Sequence, residues 1–181
     1  MSEPTAYIVL FRGVGGKTQL PVALLREALS QAGFDNVATY INSGNAVLKS
    51  ALGREDVAAR VAQICAREFG FDKAVHVVTR AQWRQLIADN PFPQAVGVPT
   101  SLHAAVLEAE PDHARLEALR AFAVEGEGIE VVGKVAYLHT PHGFGRSKLA
   151  EKFDKGIGVA NTARNWNTVL KLAELAAIAA A

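Results

Sequence analysis

Apolar and polar positions alternate between a two-residue and a 3.6-residue period along the chain, and the order of these periods is nearly repeated in its second half. AYIVLFR, residues 6–12, is a β-rich run closed by Gly13 and predicts a buried strand. From Pro21, acceptable in a first helical turn, Val22, Leu25, Leu29 and Ala32 recur on one face, with Gly33 at the stop position. VATYINSGNAVLKS, residues 37–50, then reads as two strands joined at Ser43-Gly44, a two-residue hairpin with strand character resuming at Asn45. A second helix over about 56–69 carries Val57, Val61, Ile64 and Cys65 inward and ends at Gly70. AVHVVT, residues 74–79, is a strand again, so the order is β-α-β-β-α-β, the split βαβ arrangement of a ferredoxin-like plait.

Thr79 and Gln82 form a capping box for a helix carrying Trp83, Leu86 and Ile87, and NPFPQAVGVP, residues 90–99, then breaks the periodicity. Beyond it come a strand at 101–107, a helix at about 112–123, strands at 129–132 and 135–139 joined by Gly133-Lys134, and a helix at about 147–154. GIGVANTA, residues 156–163, occupies the place where one more strand would complete the repeat, and a final helix runs from about Asn165 to Ala177. The expected fold class is α+β, with two tandem ferredoxin-like subdomains of antiparallel sheet plus a C-terminal helix. The expected limits are 1–79 for the first subdomain, 80–100 for a helix and Pro-rich linker, and 101–181 for the second subdomain with the terminal helix.

Composition narrows the function classes. Fifty per cent apolar and 20% charged residues place the chain of 181 residues among soluble globular proteins. A net charge of +1 argues against a surface that is wholly a cationic footprint for nucleic acid. Cys65 is a lone cysteine on the apolar side of a helix and reads as a reduced core residue. MSEPTAYIVLFRG has acids and a proline before a short apolar stretch, which is not a signal peptide, and no segment approaches the ~20 apolar residues of a membrane span. The expectation is a cytoplasmic protein with no membrane partner.

FRGVGGKT, residues 11–18, ends as a phosphate-binding P-loop does, but Phe11 stands where the first glycine belongs and the helix pattern starts only near Pro21. It reads either as a flexible connection or as a looser anion site built from Arg12, Lys17 and glycine amides. Asn42, Ser43, Gly44 and Asn45 are turn formers first; strand order in a split βαβ fold can bring them beside that loop.

Charge is concentrated near the C-terminus. Residues 143–171 hold Arg146, Lys148, Lys152, Lys155, Arg164 and Lys171 against Glu151 and Asp154, a net of +4. Ser147 reads as an N-cap, so Arg146 and Lys148 flank a helix N-terminus, where oriented N–H groups favour an anion. Arg164 and Asn165 precede the last helix in the same way, and Trp166 opens its apolar periodicity, which makes core packing the first reading of that indole. His139 and His142 have Pro141 between them and no nearby carboxylate or thiolate, so no metal site is expected. No histidine stands at a telling spacing from Ser147, so no nucleophilic triad is expected, and no cofactor is implied.

The segments LFRGVGGKTQLPVALLREALSQAGFDNVATYINSGNAVL, NPFP, YLHTPHGFGRSKL and TARNWNTVLKLAEL resemble the signature segments of the bacterial domain-of-unknown-function 1697 family, over almost the whole chain. The resemblance implies two ferredoxin-like subdomains in tandem and no established activity. Members typically carry an Arg-Gly-Ile-Asn-Val-Gly-Gly loop; here Arg12-Gly13-Val14-Gly15-Gly16 is two residues shorter, which weakens any carry-over of a ligand role to it.

The leading expectation is a protein that binds a phosphate-bearing ligand, a nucleotide or a nucleic-acid end. Arg146 and Arg164 would share one anion, Lys17, Lys148 and Lys171 would supply point charges, and Asn42, Asn45 and Asn165 would orient it; Trp166 would stack only if partly exposed. One alternative is an enzyme acting on a small anionic metabolite. The other is an interaction protein, such as a homodimer, that self-associates through a plait sheet or the Ala-rich C-terminal helix.

Overall fold

The computed structural model describes residues 2–15, 17–41 and 44–181. The chain divides into two compact units, Met1–Gln85 with Lys171–Ala181, and Leu86–Leu170.

In the first unit, strands β1 (Thr5–Phe11), β2 (Asp35–Tyr40), β3 (Asn45–Ser50) and β4 (Val75–Thr79) form an antiparallel sheet in the order β2-β3-β1-β4. Helices α1 (Val22–Gln31) and α2 (Arg54–Phe69) bury Leu25 and Leu29, and Val57, Val61, Ile64 and Cys65, in one cluster with Val9, Phe11, Leu48 and Val77 of the sheet. Gly70 ends α2 in the left-handed conformation, φ +62°, as its position after the last periodic residue predicts. Burial pushes the Cys65 thiol up to about 12, so it stays protonated and inert.

The β2–β3 connection is longer than expected. The last pair is Tyr40 with Asn45, so residues 41–44 connect the strands, not Ser43-Gly44 alone. Ile41 turns out of the strand at φ +47°, which ends the ladder early. Gly44 has the expected positive φ, +77°; Asn42 and Ser43 lie outside the described residues.

Helix α3 (Arg80–Ala88) begins with the expected reciprocal cap: Gln82 N–H donates to Thr79 Oγ1 at 3.1 Å and Thr79 N–H to Gln82 Oε1 at 3.0 Å. The C-terminal stretch of the chain is tied to the first unit, with Asn36 Nδ2 donating to Ala179 O at 2.8 Å and Lys49 Nζ to Ala180 O at 3.1 Å. These donors satisfy last-turn carbonyls that no helical N–H reaches.

In the second unit, β5 (Leu102–Leu107), β6 (Gly128–Val132), β7 (Val135–His139) and β8 (Asn161–Asn165) form an antiparallel sheet in the order β6-β7-β5-β8. Helices α4 (His113–Arg120) and α5 (Lys148–Gly156) cover one face, packing Leu116, Leu119, Leu149 and Phe153 on Ala105, Ile129, Ala136 and Leu138. The fourth strand of this sheet, which the sequence pattern does not predict, is β8. Its sequence NTARN has no apolar alternation, yet it pairs with β5 from Leu107↔Asn161 to His103↔Asn165, completing the plait. Helix α6 (Trp166–Ala180) therefore starts at Trp166. Both units have the strand order of a ferredoxin-like plait.

Candidate functional site

The glycine loop after β1 is closed on itself. Gly15 and Thr18 exchange backbone hydrogen bonds of 2.6 and 3.0 Å, and α1 begins only at Val22, so its amino end does not face a phosphate held at Lys17. Lys17 is exposed; Gly16 lies outside the described residues. The loop does meet the hairpin: Phe11 N–H donates to Gly44 O at 2.9 Å, and a Cβ on Gly44 would stand 2.6 Å from Val14 Cγ2. Asn45 is fully buried and donates through Nδ2 to Tyr40 O at 3.2 Å, a brace across the hairpin base. Thus Arg12 and Lys17 are on one loop beside the hairpin, while Asn45 serves the turn itself.

In the basic C-terminal segment several side chains are already engaged, some in the fold and some in exposed ion pairs. Ser147 caps α5, its Oγ accepting from Ala150 N–H at 3.1 Å, and Asn165 caps α6 through Thr168 N–H at 3.0 Å. Trp166 is 1% exposed, so its ring has no open face for a base. Lys148 pairs with Glu151 at 3.1 Å and Lys171 with Glu174 at 3.0 Å.

Arg164 lies on β8, where side chains alternate between faces and directly paired residues share one. Ala163, with Ala105 and Ala136, faces α4 and α5, so Arg164, with Ala104 and Tyr137, faces the other way. Its guanidinium donates to Thr162 Oγ1 at 2.6 Å and Ala163 O at 2.8 Å, and desolvation pushes it down to about 10, still a cation at neutral pH. Arg146, exposed at the end of a 3-10 turn spanning Phe144–Arg146, sits beside the amino end of α5, on the helix-covered side. The register thus separates the two arginines that the sequence joins in one site.

What the structure assembles instead is a cleft between α4 and α5. Arg115, Ala118, Leu119 and Phe122 recur at helical spacing along α4 and its end, and face Lys152, Lys155 and Gly156 of α5 across about 330 Å³. Glycine at 156 allows the two helices this approach, since a Cβ there would stand 2.6 Å from Leu119 Cδ2. Gly158, at φ +75°, carries the aliphatic and guanidinium part of Arg115: a Cβ would stand 2.6 Å from both Cδ and Nε. Among the described residues Arg115 and Lys155 have no ion-pair partner, and Lys152 has only the exposed contact to Glu151 at 3.6 Å. Three cations therefore surround an apolar floor with no carboxylate in the lining.

A larger cleft on the first unit, about 650 Å³, lacks this imbalance. Its Arg60 donates to Ala32 O and lies over the Phe34 ring at 5.7 Å, Arg67 pairs with Glu68 at 2.8 Å, and Asp56 lines the wall.

His103, on the helix-covered face of the second sheet, stacks on Phe144 with ring centroids 3.9 Å apart; its Nδ1 has no hydrogen-bond partner among the described residues. Burial pushes this imidazole down to about 4. Among the described residues no group of three His, Cys, Asp or Glu side chains could hold a metal ion, and no helix is long and apolar enough to cross a membrane.

Arg115 and Phe122 are absent from the sequence reading. Their signal is an apolar set at i, i+3, i+4 and i+7 begun by a cation, which reads as one helix face until the opposing α5 is known to leave its edge uncovered.

A model for a family of proteins of unknown function, DUF1697, matches residues 5–137, and the chain belongs to that family. No curated protein matches the chain. Among solved structures, a conserved bacterial protein, SP0830 from Streptococcus pneumoniae, is 17% identical with a TM-score of 0.72, covering 96% of this chain and 99% of that one. That likeness shows the fold.

Proposed function

We propose that this member of the DUF1697 family binds a phosphate-bearing ligand, a nucleotide or a nucleic-acid end, between α4 and α5 of its second unit. The observation that carries the reading is the Arg115 guanidinium, set on the bare backbone of Gly158 with no carboxylate to neutralise it among the described residues, and facing Lys152 and Lys155. Its planar guanidinium fork suits phosphate oxygens, and no carboxylate of the cleft lining competes for it. On α5, Glu151 pairs with Lys148 and touches Lys152, so the positive field is strongest where Lys155 faces Arg115.

The cleft lining is Arg115, Ala118, Leu119, Phe122, Lys152, Lys155 and Gly156, which supplies no carboxylate, histidine or thiol for proton transfer; this favours binding over catalysis. The reading takes the protein as cytoplasmic, where a single buried thiol stays reduced.

Titration calorimetry of the full chain with pyrophosphate at two salt concentrations tests it. Affinity should fall as salt rises, and Arg115→Ala and Lys155→Ala should each weaken it by about 5- to 100-fold, the range of a charge-assisted contact. Binding that is indifferent to both substitutions would remove the site.

A further inference from the structure

We infer that the cleft between α4 and α5 selects a small phosphate monoester carrying one flat apolar body, an aryl or nucleobase-bearing phosphate of mononucleotide size, rather than a length of nucleic-acid backbone. This rests on the proposed anion site and adds what lies beside the phosphate.

The cleft divides by chemistry. Cations come from Arg115, Lys152 and Lys155, whereas Ala118, Leu119, Phe122 and the Cα of Gly156 make an apolar surface between them. Phe122 stands 40% exposed just beyond the last turn of α4. An isolated exposed phenyl ring is ordinary, but this one is part of the wall of a concave site that also holds Arg115 and Lys155, neither of which has an ion-pair partner among the described residues. The adjoining floor is fixed, because Leu119 packs against Gly156 where no side chain could stand. A ligand that was only an anion would leave that apolar surface wet; a planar group beside the phosphate would cover it and stack on the ring.

Size sets the other limit. About 330 Å³ is near the lower end of small-molecule sites and suits one ring system with one head group. A site that tracks single-stranded nucleic acid offers successive aromatic platforms along a basic groove. Here one aromatic ring lines the cleft.

Competition or direct calorimetry on the full chain, with inorganic phosphate, phenyl phosphate, a nucleoside monophosphate and a short single-stranded oligonucleotide as probes, tests this. Phenyl phosphate and the mononucleotide should bind about tenfold or more tightly than inorganic phosphate, the scale of one base–aromatic stack. Phe122→Ala should abolish that preference while leaving inorganic phosphate unchanged; Phe122→Leu, which keeps apolar bulk, should lose part of it and serves if the alanine variant does not fold. The inference is overturned if the ring adds nothing, if the preference survives both substitutions, or if the oligonucleotide binds more tightly than the mononucleotide. Arg115-dependent phosphate binding without any ring preference overturns this inference and leaves the anion site standing. If no probe binds in an Arg115-dependent way, both fall.

Discussion

Arg115 rests on Gly158: a methyl group at that glycine would come within 2.6 Å of both the Cδ and the Nε of the arginine. Gly158, at φ +75° just after α5, needs no side chain for its backbone conformation, and the bare backbone leaves room for a cation that has no ion-pair partner among the described residues. For the proposed anion site, that backbone platform is what distinguishes a binding cleft from a merely basic surface.

Gly158→Ala should therefore weaken anion binding, by less than Arg115→Ala does, although residue 158 carries no charge. It should also cost about 1 kcal/mol of stability, because alanine is strained at this φ. Gly145→Ala, in the 3-10 turn beside Arg146 where a Cβ meets nothing within 4 Å, is the control and should leave both quantities unchanged. Calorimetry and denaturant midpoints on the two variants check this; equal affinities for wild type and Gly158→Ala would contradict it.

Gly44→Val should destabilise the first unit by more than about 1 kcal/mol, and by more than a strained φ alone accounts for. Besides adopting φ +77°, the new side chain would meet Val14 Cγ2 at 2.6 Å and Phe11 Cβ at 2.8 Å, so the glycine loop would be pushed from the hairpin. Urea midpoints that match between variant and wild type would refute the contact.

His103 makes stability depend on pH. Its imidazole ordinarily titrates at 6.5 and is pushed by burial to about 4, so between those values the unfolded chain binds the proton and the folded one does not. Stability is full above 6.5, falls as pH drops toward 4 and levels below it. His139 is also lowered by burial and adds in the same direction, so the informative quantity is the difference between wild type and His103→Leu. The variant should lose less stability than wild type across that window, by about 2 kcal/mol once partial exposure is allowed for. Parallel curves would mean that the stacked imidazole is not desolvated.

Much of this architecture is legible in the sequence because periodicity and punctuation agree. Leu25 and Leu29, the Val57–Cys65 face, the Thr79–Gln82 box and the Gly133 turn are local signals, and each produces the element it predicts. Strand β8 is not legible, since Asn161, Thr162 and Arg164 satisfy a ladder with β5 that no local pattern encodes. Arg146 and Arg164 look like partners in the sequence for the same reason: without a strand there is no register, and without a register no sign that Arg164 faces away from α5. The hairpin length depends on Ile41 leaving the strand at positive φ, a conformation uncommon for a β-branched residue. For the site, the basic excess of residues 143–171 is visible in composition, but Arg115 and Phe122 come from a helix some thirty residues earlier and meet it only through packing.

Backbone amide chemical-shift mapping of the full chain, titrated with phenyl phosphate, would locate the ligand residue by residue. If α4 and α5 hold it, saturable shifts should centre on residues 115–122 and 152–158 and vanish in Arg115→Ala. Saturable shifts centred on the glycine loop at residues 12–18 or on β8, or shifts at α4 and α5 that persist without Arg115, would contradict the proposed site.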